Sequence, residues 1–308
     1  MPKIKNSHQL SPSGVQWLLF TIILLWFFFT FVYSILHSFF SFEKPNGYLQ
    51  LMYLQIFTIM LPTILYLYPK NIDITETFLI HRINRKNVLF LVGLGICMQY
   101  IGRMLNSLMV LLLRSLGTDS PVSSLAVPDS FGAALLALVA VVMVPAVMEE
   151  LLMRGVVLHA YVWRGNKAAI AASAFLFGIL HLDVRSLFST ILLGAVLAYA
   201  VLQTGSIWAG MILHLVNNLI ALIGYALERH LQQPWEGILL TLFFAAAVLA
   251  VFPLLRAFRA HNLENKNRVD LPEKKSVAYE LGRTIFSLPG LLTLAGYVLV
   301  QIQLFGRG

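Results

Sequence analysis

Charge is what this 308-residue sequence has least of: Asp, Glu, Lys and Arg make up 12% of it, against 58% hydrophobic residues. Soluble domains carry about 25% charged residues, so a water-soluble fold of this length could not cover its surface. Cysteine is nearly absent too. The single one, Cys97, lies inside an apolar run, which excludes a disulfide framework and a cysteine-based metal site. Half-buried alternation of apolar and polar residues is missing, which argues against a β-barrel. The net charge of +8 comes with no continuous basic stripe, so nucleic acid is not an expected partner. The apolar run after Lys3 and Lys5 contains no small-residue cleavage site and far exceeds the ~7 to 15 residues of a signal-peptide core. It is expected to stay as a first membrane helix. No internal repeat or low-complexity tract is visible.

What the sequence has in abundance is unbroken apolar length. The runs lie at roughly 15–41, 50–68, 88–113, 131–158, 168–182, 186–203, 206–227 and 237–256, with a ninth candidate at 285–305. A transmembrane helix needs about 17 to 25 such residues. The expected fold class is therefore all-α, a polytopic membrane bundle of about eight transmembrane helices, or nine if the last run spans. The fifth run is short, as is tolerated for a helix packed inside protein. Residues 1–256 are expected to form the bundle, with a catalytic core near 131–227. The polar stretch 257–284 reads as a cytoplasmic loop suited to a membrane surface, 285–308 as an additional helix with the C-terminus, and 71–87 as a surface helix.

Lys and Arg fall unevenly between the runs. One side collects Lys3, Lys5, Lys70, Arg82, Arg85, Lys86, Arg164 and Lys167, then Arg256, Arg259, Lys266, Arg268, Lys274, Lys275 and Arg283; the other has Lys44, Arg114, Arg185 and Arg229. The positive-inside rule makes the N-terminus cytoplasmic. Compact size and the lack of organelle signals point to a bacterial cell membrane, with the lipid bilayer as the first partner.

Ionisable residues inside apolar runs need a reason, since each costs ~2.5 to 3.5 kcal/mol at a helix centre. The fourth run contains Glu149, Glu150 and Arg154 after Pro145. At ~100° per residue the glutamates point to different sides, while Glu150 and Arg154 share a face. Two adjacent carboxylates resist both being charged in low dielectric. Glu150, paired with Arg154, stays ionised, and Glu149 becomes the candidate general base. The bland alternative, side chains snorkelling from a helix end, suits Lys and Arg better than a Glu pair. In the fifth run Phe177 precedes His181 by four residues and could shield and orient the imidazole, and Gly178 would let another helix approach. In the seventh run His214 and Asn218 lie four apart on one face, a spacing also used for interhelical hydrogen bonds. A base, two imidazoles and an amide donor are together the groups that activate water and hold an oxyanion. Gln99, Arg103 and Asn106 form a polar stripe in the third run that could line the same cavity or pair with the glutamates. His159, His230 and His261 carry no motif.

Glu149-Glu150-xxx-Arg154, Phe177-xxx-His181 and His214-xxx-Asn218, in order on separate apolar runs, resemble the CAAX protease and bacteriocin-processing family of intramembrane endopeptidases. The matching region, about Pro145 to Asn218, is roughly a quarter of the chain. The resemblance implies a bundle of about eight spans with a cavity open toward membrane and cytosol. It further implies that Glu149 and His181 activate water, that His214 and Asn218 hold the scissile carbonyl or its oxyanion, and that Glu150 and Arg154 support them. Two His and a Glu could hold zinc, and the same residues can work without it, so the cofactor stays open. The substrate would be a membrane-associated peptide or protein: relatives in eukaryotes trim prenylated tails, and bacterial ones are linked to bacteriocin immunity, peptide maturation or surface-protein display. The rival readings are a proton-coupled transporter, for which no paired repeats are seen, and a non-catalytic immunity or scaffold protein, which would not need the full Glu/His/His/Asn set.

Overall fold

Backbone in lipid has no water to bond, so long apolar runs close their hydrogen bonds within helices. The computed structural model describes residues 10–40, 46–118, 128–228 and 234–305, and among them there is no strand. Lys3, Lys5, Lys44, Arg229 and His230 lie outside the described residues. In chain order the helices are α1 (Pro12–Phe40), α2 (Gly47–Lys70), α3 (Arg85–Ser115), α4 (Phe131–Arg164) and α5 (Asn166–Leu180). Then follow α6 (Leu187–Thr204), α7 (Ile207–Glu228), α8 (Trp235–His261), α9 (Val277–Ile285) and α10 (Leu288–Phe305). All but α5 and α9 are long and apolar enough to cross a membrane, which makes eight candidate spans. The ninth apolar run is thus a full-length helix, α10, packed along α1.

Four connections are tied together at one end of the bundle. Leu79 O accepts from Ile207 N at 3.1 Å, and Val269 N donates to Leu202 O at 2.9 Å. Asn166 N donates to Leu271 O at 3.2 Å and Lys274 N to Arg164 O at 3.0 Å. Asn87 and Asn262 exchange amide bonds of 3.0 and 2.8 Å. The start of α1 joins them through Gln16, whose Nε2 donates to Tyr161 Oη at 2.6 Å. This basic end carries Arg82, Arg85, Lys86, Arg164 and Lys167 together with the Lys and Arg residues from 256 to 283.

Two segments differ from their reading as sequence. In place of a surface helix over 71–87 there is a single helical turn, Ile74–Thr77, then non-helical chain up to α3. His81 lies in that chain and pairs with Gly205 O at 2.9 Å. The polar stretch 257–284 is a loop only in its middle: α8 continues to His261, the non-helical residues 262–276 strap the basic end, and α9 follows. Its polarity serves hydrogen bonds within the protein. The Glu273 carboxylate accepts from Lys167 N at 2.7 Å and Ala168 N at 3.2 Å, satisfying orphan donors in the first turn of α5 and complementing its dipole.

Candidate active site

Local departures from regular helix bring the polar residues together. In α4, Glu149 and Glu150 sit between two π-type stretches, Leu138–Met143 and Leu151–Val157, features often found at functional sites. Pro145 has no N–H, so Val141 O loses its α-helical donor, and Asn218 Nδ2 on α7 donates to that carbonyl at 3.2 Å. In α2 a third π stretch, Gln55–Met60, precedes Pro62. Gln55, at its start, donates from Nε2 to Glu149 Oε1 at 3.0 Å.

The length of α5 sets the depth of His181. Its 15 residues span only about 22 Å, against about 30 Å of hydrocarbon. Starting at the basic end, the helix stops part-way across, with His181 as its C-cap and Leu182 at positive φ. Irregular backbone at such depth must be paired inside the protein. Gln301 on α10 does this: Oε1 accepts from Val184 N and Nε2 donates to Leu182 O, both at 2.9 Å.

Glu150 and Arg154 are both buried, with Arg154 Nη1 donating to Glu150 Oε1 at 2.7 Å. Nη2 of Arg154 donates to Gly194 O at 3.0 Å, and the guanidinium lies 4.7 Å from the Phe177 ring centre. Glu150 Oε1 also meets His214 Nδ1 at 3.0 Å. Gly210 backs the carboxylate, and a Cβ there would collide with Glu150 Oε2. Phe177, fully buried, stands edge-to-face to His181 at 4.5 Å and to His214 at 5.9 Å. Its carbonyl lies 2.8 Å from His181 Nδ1.

Each imidazole therefore has an acceptor at Nδ1, which places a proton there and turns Nε2 inward. Both Nε2 atoms face Glu149 Oε2, at 3.9 Å from His181 and 4.0 Å from His214. Those distances are too long for direct hydrogen bonds. Among the described residues Glu149 Oε2 is a buried oxygen with no hydrogen-bond partner. Tetrahedral N and O ligands at about 2.0–2.2 Å from zinc lie about 3.3–3.5 Å apart, closer than either pair here. No group of three His, Cys, Asp or Glu among the described residues meets metal-binding spacing, so this donor set does not fit zinc.

Two cavities meet at the site. One, of about 320 Å³, is polar, with Arg103, Asn106, Ser186, Thr190, Asn217 and Asn218 in its walls. The other, of about 410 Å³, is mostly apolar and is walled by Trp26, Leu51, Leu54 and Val300 among others. Glu149 and His181 line both.

The structure brings Glu149, Glu150, Arg154, Phe177, His181, His214 and Asn218 to one place. Gln99, Arg103 and Asn106 line the polar cavity, with Arg103 pairing to Glu236 at 3.4 Å and not to the site glutamates. Asn218 spends one amide proton on Val141 O and accepts from Asn217 Nδ2 at 3.2 Å, a structural task its spacing from His214 did not announce. Three residues were missed from sequence: Gln55, Asn217 and Gln301. Each is an amide within an apolar run, a signal too common in membrane helices to single out alone.

Residues 131–220 match the family described as type II CAAX prenyl endopeptidase Rce1-like. Over these residues the chain is similar to that family. The matched region runs from α4 into α7 and holds all three motifs, while Gln55, Arg103 and Gln301 come from helices outside it. No curated protein and no solved structure matches the chain. At family level the Rce1-like match indicates an intramembrane CAAX endopeptidase, and with the eight apolar helices a multi-pass membrane protein.

Proposed function

We propose that this chain hydrolyses peptide bonds with a water activated by Glu149. One observation carries the reading: two imidazoles with fixed Nδ1 protons turn Nε2 toward a buried carboxylate oxygen that lacks a donor. A water supplies that donor. Glu149 Oε2 takes one of its protons while His181 Nε2 accepts the other hydrogen bond, and the oxygen attacks the scissile carbonyl carbon. The carbonyl electron pair moves onto oxygen, where Asn218, through its free amide proton, and His214 meet it. Glu149 then passes its proton to the leaving nitrogen as the C–N bond breaks. Arg154 and Glu150 hold His214 in place, and Gln55 holds the other oxygen of Glu149. The substrate is a membrane-associated peptide or protein, and the enzyme sits in a bacterial cell membrane with its N-terminus in the cytoplasm.

The test compares membrane-fraction peptides from cells carrying wild type or Glu149→Gln at matched levels. General bases contribute about 10²- to 10⁴-fold, so fragments made by the wild type should vanish and their precursors accumulate. An unchanged fragment pattern would overturn the assignment.

A further inference from the structure

We infer that the site is served from the extracytoplasmic face, so that its substrate is an exported or surface-held peptide that reaches the catalytic residues from that side. The word substrate rests on the protease reading; the sidedness does not.

The direction of the cavities comes from where their walls lie along each helix. The polar cavity takes residues from Met98 to Asn106 of α3, from the middle of a helix that begins at the basic end with Arg85 toward its far half. From α6 it takes Ser189, Thr190 and Leu193 near the helix start, and from the preceding connection Ser186. From α7 it takes His214 to Ala221, past the turns that leave the basic end. Arg103 in this wall pairs with Glu236 in the first turn of α8, again at the far end. The apolar cavity begins at mid-depth, at Ile22, Ile23 and Trp26 of α1 and Ile59 of α2, and extends to the far end, with Leu51 near the start of α2, Arg185 in the α5–α6 connection and Leu304 at the close of α10.

Toward the basic end the site is shut. Arg154, Val157, Leu158, Leu197 and Val201 are almost completely buried. On the basic side of Arg154 lies a space of about 10 Å³, bounded by Thr77, Leu79 and Val269 among others. A single water needs ~10–15 Å³, so no peptide passes that way.

Among the described connections, every Lys and Arg except Arg114 and Arg185 lies at the basic end. Positive-inside bias makes that end cytoplasmic. Both cavities then face away from the cytosol, the reverse of what the resemblance implied.

The test uses accessibility in cells, which does not depend on cleavage. The one native cysteine, Cys97, is buried and is replaced by Ala. Single cysteines are placed in the polar cavity (Ser186→Cys, Asn106→Cys) and on the strap of the basic end (Lys275→Cys), then exposed to a membrane-impermeant maleimide in intact and permeabilised cells. The inference expects Ser186→Cys and Asn106→Cys to label in intact cells and Lys275→Cys only after permeabilisation. Cavity positions that label only after permeabilisation, or not at all while the denatured protein labels, overturn it. Adding Glu149→Gln should leave this pattern unchanged, so a failed protease reading and a failed sidedness are told apart.

Discussion

Glu150, Arg154 and His214 form a chain in which the charged groups answer one another, while the unpaired oxygen of the neighbouring Glu149 is the one that faces both imidazoles and the cavities. Breaking a buried ion pair from one side costs about 3–5 kcal/mol, because the other charge stays behind. Arg154→Leu should therefore lower the thermal unfolding midpoint of the purified protein sharply. The double replacement Glu150→Leu with Arg154→Met should recover much of that stability. Activity should not return with it, since His214 Nδ1 has lost its acceptor; a double variant as active as wild type would make the pair purely structural. The Glu150–Arg154 contact was legible in the sequence because four residues along a helix fix which side chains meet, even with a π stretch between them. The Glu150–His214 and Glu149–Gln55 contacts were not, because spacing within one helix says nothing about its rotation against another.

At the scale of elements, the short α5 and the helix that accommodates it are one device. α5 ends where His181 reaches the level of Glu149, and its early stop leaves bare backbone at 182–184, which Gln301 satisfies. Gln301→Leu leaves that N–H and C=O unpaired, at about 1–3 kcal/mol each, and frees the turn that holds His181. A misplacement near 1 Å can cost about 10²-fold in rate. The expected outcome is a fall in kcat far larger than any change in KM, measured on whichever peptide the wild type cleaves; an unchanged kcat would show that the turn holds without α10. Apolar length alone made the helices readable, the ninth included. Its task was hidden, because a lone Gln in an apolar run looks the same whether it faces lipid or caps a neighbour. The surface helix expected over 71–87 was misread for a related reason, and the bonding of the loop at 262–276 was hidden by it: polarity that looks made for water is here used on Gly205, Leu202 and the start of α5.

For the molecule as a whole, the spacing of Glu149 from both imidazoles argues that the reaction runs without zinc. Chelation of the purified protein should leave its activity intact, and elemental analysis should find no stoichiometric metal. Activity lost to the chelator and restored by zinc would refute the spacing argument. The two cavities have a further consequence, because they touch only where Glu149 and His181 stand. A chain lying across both rooms is cut at the sill between them, wherever its own sequence happens to place the bond. Such an enzyme works as a gauge and is indifferent to most side chains. In peptides anchored by the same apolar segment, inserting residues between anchor and cleavage site one at a time should move the cut along in step, whereas a fixed cut would mean that a local sequence is being read.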